Sequence, residues 1–167
     1  MFKTFNSLFV TMFGLGKAKI IPGTFGSLAT IIILYIFFHI LNISSNLILL
    51  FLVVIFIYSF SAVTNHIKNS ENKDPGEIII DEFIGQSIPI YLYEISHGTE
   101  KSSDEAIIIY GICFILFRFF DIKKPFPINK FDKNFKNSFG VLADDIIAGL
   151  YVVLTLIIFM IIKTKLF

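Results

Sequence analysis

Residues 47–63, LILLFLVVIFIYSFSAV, decide the fold class. The run carries no charge and lacks the apolar–polar alternation of a half-buried strand. It is too long for an ordinary strand and a little short of the roughly 20 residues that a helix needs to cross a bilayer, a gap that flanking residues can close. Just before it, Asn42–Asn46 is a polar break, and Ser27–Leu41 is apolar apart from Ser27, Thr30 and His39. Two such runs around a short polar turn predict a membrane-embedded helical hairpin.

The same grammar continues toward the C-terminus. Ile78–Ile95 is apolar but carries Asp81, Glu82 and Gln86; Ala106–Phe120 is apolar with Arg118 near its end; Ile146–Ile162 is the last apolar run. Polar segments separate them at Asn65–Asp74, Ser96–Glu105 and the lysine-rich Asp121–Ser138. The turn signals of a barrel are missing. The expectation is one all-α domain over residues 1–167. It is a compact helical membrane protein of about four to five apolar helices, with the polar motif loops gathered on one face. Composition agrees: 55% of the 167 residues are hydrophobic, against about 45–50% in soluble domains, and mean hydropathy is +0.79.

Charge gives a topology to test. If all five apolar runs cross and the N-terminus is inside, one face collects Lys3, Lys17, Lys19, Lys68, Lys73, Lys123, Lys124, Lys130, Lys133 and Lys136. The other face has Lys101, Lys163 and Lys165, a bias that follows the positive-inside rule. Ile78–Ile95 is the weak member, because acids face lipid poorly; a re-entrant or protein-enclosed helix is the alternative. Met1–Phe13 lacks the long apolar core and small-residue cleavage site of a signal peptide.

Several function classes drop out. With one arginine, no basic helix and a net charge of +1, no nucleic-acid partner is expected. Cys113, the only cysteine, reads as a small buried hydrophobe. His39, His66 and His97 are scattered, so a zinc site is not expected.

Four polar islands carry the chemistry. The first, GLGKAKIIPGTFGSL at residues 14–28, makes a Gly/Pro turn before a helix. A helix N-terminus there suits a phosphate, with Thr24, Gly26 and Ser27 as the binding turn; ordinary N-capping is the plainer reading. The second, DPGEIIIDEFIGQ at residues 74–86, sets Asp81 and Glu82 against an apolar run, where ionisable groups are costly and mark functional sites. Helical neighbours point about 100° apart, so the two acids are not expected to face one ion squarely. The third, RFFDIKKPFP at residues 118–127, puts Arg118, Asp121 and Lys124 in one helical row. The fourth, DDIIAG at residues 144–149, repeats an acidic pair, Asp144 and Asp145, at a helix start, with Gly149 allowing close helix approach. Each acidic island taken alone also fits helix capping or a surface ion pair. Together they form an oxygen-only ligand set suited to Mg²⁺.

In this order the islands resemble the phosphatidylglycerophosphatase A family, which shows Pro-Gly-Thr-x-Gly-Ser-Leu (here Pro22–Leu28), Asp-Glu-x-x-Gly (Asp81–Gly85), Arg-x-x-Asp-x-x-Lys-Pro-x-Pro (Arg118–Pro127) and Asp-Asp-x-x-Ala-Gly (Asp144–Gly149). The resemblance spans nearly the whole chain. It implies a Mg²⁺-dependent lipid phosphatase of phospholipid biosynthesis, converting phosphatidylglycerophosphate to phosphatidylglycerol and phosphate. The expected location is a bacterial inner membrane, multi-pass, with the motif face toward the cytoplasm. The partners are the phospholipid substrate and the membrane; oligomeric state is left open.

On this reading Asp81, Glu82, Asp121, Asp144 and Asp145 are metal ligands and, with Lys124, the catalytic group. Thr24, Gly26, Ser27, Arg118 and Lys124 hold the phosphate. Direct attack by one Asp on phosphorus is an open alternative. A cysteine phosphatase is disfavoured, since only four residues separate Cys113 from Arg118, and no Asp-x-Asp nucleophile motif is present. The rival from another class is a small membrane cation transporter or channel subunit with buried carboxylates; a structural subunit with capping acids is the third.

Overall fold

The computed structural model describes residues 2–68, 72, 75–97, 103–130, 135 and 137–166. Lys73, Asp74, Lys101, Lys133 and Lys136, named above, lie outside them, as do the side chains of Lys3 and His97. The described residues are all-helical, as expected. They form α1 (Phe2–Val10), α2 (Pro22–Tyr35, continued by a π turn at Ile36–Ile40), α3 (Ser45–Ile67), α4 (Ile80–His97), α5 (Ser103–Lys123) and α6 (Ser138–Leu166).

The element ends follow from local chemistry. Pro22 occupies the first turn of α2, where its missing N–H costs nothing. Ile21 before it takes φ +46°, a strained left-handed conformation for a β-branched residue. The polar break of the hairpin becomes a tight turn with Asn42 at φ +50°, and α3 restarts after Ser44.

Helices α2 to α6 run alternately up and down. The end of α3 meets the start of α6 (Thr64 Oγ1 to Ser138 Oγ, 2.7 Å) and the segment before α4 (His66 Nε2 to Glu77 Oε1, 2.8 Å). At the other end, the π turn of α2 meets the end of α4 (His39 Nε2 to Glu94 Oε1, 3.3 Å), and Tyr110 of α5 donates to the same carboxylate at 3.1 Å. The starts of α2, α4 and α6 therefore share one end of the bundle with the end of α5. α1 packs on α3 at that end, and its Val10 carbonyl accepts a hydrogen bond from Ile79 N–H (2.9 Å).

Among the described residues, three helices are long and apolar enough to cross a membrane: Pro22–Ile40, Ser45–Ile67 and Ser138–Lys165. This narrows the expectation of five crossings. Asp81, Glu82 and Glu94 dilute α4, and Asp104, Glu105, Arg118 and Asp121 dilute α5. α4 packs against α2, α3, α5 and most extensively α6, the protein-enclosed alternative foreseen for an acid-bearing segment. The outward faces of α3 and α6 expose rows of Leu, Ile, Val and Phe, such as Leu50, Val54, Ile57, Leu154, Ile158 and Phe159. Such faces suit hydrocarbon rather than water.

Candidate active site

Four of the islands meet in one cavity of about 230 Å³ at the shared end of the bundle. It is lined by Ile21, Pro22, Gly23, Gly76, Ile78, Asp81, Glu82, Arg118, Asp121, Lys124, Asp144 and Asp145. Residues far apart in sequence converge because two glycine contacts let helices cross closely. A methyl group on Gly149 of α6 would collide with the Gly85 carbonyl of α4, and one on Gly85 would crowd the Asp145 carbonyl at 2.5 Å. Each glycine stands one helical turn after an acid, Asp81 or Asp145, so the crossing draws both acids to one side.

Three of the carboxylates form a close trio, and Asp121 borders it, its side chain against that of Asp145. One oxygen each from Asp81, Glu82 and Asp145 lies within 4.8 Å of the others. This departs from the expectation that Asp81 and Glu82 diverge. In the first turn of α4 the longer Glu82 side chain spans the angle between helical neighbours, so both acids reach one cluster. Asp81 Oδ1 also accepts from Glu82 N–H at 3.1 Å, and Asp144 Oδ1 from Asp145 N–H at 3.1 Å. Three carboxylates this close repel when ionised unless a cation joins them.

Asp121 and Asp144 are instead held by cations. Arg118 Nη1 sits 2.7 Å from Asp121 Oδ2, one helical turn along α5, and 3.9 Å from Glu82 Oε1. Lys124 does not continue that row. It follows the end of α5 with φ +42°, and this left-handed turn carries its ammonium to Asp144 Oδ2 on α6, at 2.7 Å. Two non-glycine residues in left-handed conformations, Ile21 and Lys124, thus border the cavity, where backbone strain commonly marks function.

Thr24, Gly26 and Ser27 fall outside the lining. Ser27 is fully buried; its hydroxyl donates to the Gly23 carbonyl (3.0 Å) and accepts a long bond from Arg118 Nη1 (3.5 Å). Gly26 makes room for Ile79, whose Cβ would stand 3.0 Å from an added methyl. Thr24 is half-buried. The residue of this island that meets the acids is Gly23. A methyl there would collide with Glu82 Oε1 and stand 3.1 Å from Arg118 Nη1. The Pro-Gly pair reads as a turn; that its glycine also leaves space for a carboxylate on α4 has no local signal.

Helices apolar enough for a bilayer, and one cavity of clustered carboxylates beside an arginine and a lysine, fit the class of membrane phosphatases. The chain belongs to the phosphatidylglycerophosphatase A family, whose model matches residues 8–160. It is 34% identical over 142 residues to a phosphatidylglycerophosphatase A of Haemophilus influenzae, covering 85% of this chain and 80% of that protein. It is 33% identical over 137 residues to the one of Escherichia coli K12, covering 82% and 73%. A Bacteroides thetaiotaomicron protein, provisionally named a phosphatidylinositol-3-phosphatase, is 32% identical over 142 residues, covering 84% of each chain. No solved structure matches significantly. The chain is accordingly a phosphatase, a phosphoric monoester hydrolase.

Proposed function

We propose that this protein hydrolyses the phosphate monoester of phosphatidylglycerophosphate, with Mg²⁺ held by Asp81, Glu82 and Asp145. The observation that carries the reading is that trio, gathered within 4.8 Å beside Arg118 and Lys124. The donor set is all carboxylate oxygen, which fits Mg²⁺, an ion that takes one or two carboxylates plus phosphate oxygens and water. When bound, the ion polarises phosphate oxygens and makes a coordinated water more acidic.

The chain's own residues supply the rest. Arg118, aimed by Asp121, and Lys124, aimed by Asp144, present positive charge to the phosphate from the α5 side. The start of α2 also lines the cavity, favouring an anion. A new bond forms between the water oxygen and phosphorus as the bond to the glycerol oxygen breaks. The water's proton passes to a carboxylate outside the trio, Asp121 or Asp144, which returns it to the departing glycerol oxygen.

Lys17, Lys19, Lys68, Lys123 and Lys130 lie on segments at the cavity end, and Lys163 and Lys165 end α6 at the other. This bias supports a multi-pass protein of the bacterial inner membrane with the cavity toward the cytoplasm. Arg118 and Lys124 beside the acids disfavour a cation path.

The test is phosphate release by purified protein from vesicles containing phosphatidylglycerophosphate or phosphatidylinositol 3-phosphate, each with Mg²⁺ or EDTA. The expected result is Mg²⁺-dependent release, faster from the glycerol lipid. Faster release from the inositol lipid reassigns the headgroup, and release that EDTA leaves intact rejects the metal.

A further inference from the structure

Gln86 is fully buried on α4, yet neither its amide nitrogen nor its amide oxygen has a hydrogen-bond partner. A buried amide left that way destabilises a fold, whereas an apolar side chain of the same size would not. Gln86 stands four residues after Glu82, so both side chains lie on one helix face. Glu82 Oε2 is also buried and unpartnered, and so is Nε of Arg118, whose Nη1 lies 3.9 Å from the other Glu82 oxygen. The unpartnered atoms are complementary. Gln86 Nε2 is a donor and Glu82 Oε2 an acceptor; Arg118 Nε is a donor and Gln86 Oε1 an acceptor.

We propose that Gln86 is a positioning residue for Glu82, its amide joined through ordered water to Glu82 Oε2 on one side and Arg118 Nε on the other. Buried waters of this kind bridge polar groups that cannot reach one another directly. The bridge orients the Glu82 carboxylate toward Asp81 and Asp145 and holds Arg118 in line with Asp121. Gln86 itself touches neither substrate nor metal. The inference rests on the reading of the trio as the reaction centre.

The experiment compares wild type with Gln86→Met, Gln86→Leu and Gln86→Asn in detergent, by melting temperature and by phosphate release from the glycerol lipid phosphate. A positioning role predicts that the Met and Leu variants melt at or above the wild-type temperature. Their turnover falls about 10- to 100-fold, the range for groups that orient metal ligands, with little change in KM. Gln86→Asn keeps the amide and recovers part of the turnover.

Wild-type turnover in Gln86→Met or Gln86→Leu overturns the proposal. Loss of the folded protein in both overturns it too, because Gln86 is then a packing residue. Should the wild type itself release no phosphate, the reading of the site fails instead. The rise in melting temperature on adding Mg²⁺ then decides the role of Gln86. A smaller rise in Gln86→Met than in wild type supports positioning; an equal rise, or none in either, overturns it.

Discussion

Gly149 of α6 lies directly against the carbonyl of Gly85 on α4. Pro89, four residues beyond Gly85, has no N–H to offer that carbonyl, so α4 turns a backbone acceptor toward α6 at the crossing. A Cα–H contact to such an oxygen is a recurrent feature where helices pack through small residues. Gly149→Ala pushes a methyl into backbone, which cannot rotate away. We expect a loss of about 1–3 kcal/mol, typical of overpacking, together with loss of turnover as Asp145 retreats from Asp81. Chemical unfolding in detergent and phosphate release measure the two. Wild-type values for both would show that the crossing does not hold the acids.

Asp145 and Ser27 separate two kinds of polar residue in the motifs. Asp145→Asn removes one member of the carboxylate trio. We expect turnover to drop by more than the roughly 10- to 100-fold that follows loss of a supporting group, with the protein still folded. Ser27→Ala removes a hydroxyl bonded to the Gly23 carbonyl. It should cost about 1 kcal/mol of stability and leave turnover close to wild type. Parallel assays of the two variants check this, and the reverse ranking would return Ser27 to the phosphate site.

Lys124 reaches Asp144 only through a left-handed turn. Lys124→Met leaves the nearly buried Asp144 without its ammonium, at a cost on the order of 2 kcal/mol. It also removes positive charge from the cavity, so KM for the lipid phosphate should rise and kcat fall. Lys124→Arg keeps the charge and should restore stability more fully than turnover, since the planar guanidinium does not reproduce the ammonium geometry. Thermal unfolding and steady-state kinetics on both variants separate these effects.

Cys113 is the only cysteine and is fully buried, so one added cysteine reports alone. With the cavity toward the cytoplasm, Lys68→Cys should react with an impermeant maleimide only after cells are opened. Lys165→Cys should react from outside. The opposite pattern inverts the orientation, and labelling of both from one side breaks the alternation of helices.

Apolar runs, their polar breaks and the acids and cations at their edges are local quantities, readable along the chain because helix formation and lipid transfer depend on neighbours in sequence. Residues 47–63 alone decided for helices, and the four islands marked residues that come to line one cavity. Which acids share a cluster is a different matter. The Arg118–Asp121 pair follows from helical spacing, but Asp81 and Glu82 meet Asp145 only through a glycine crossing, some sixty positions apart, and Lys124 meets Asp144 only through a left-handed turn, twenty positions apart. The same cause hid Gly23 and Gln86: the space for the Glu82 carboxylate beside Gly23 and the full burial of Gln86 arise only once α2, α4 and α5 are packed.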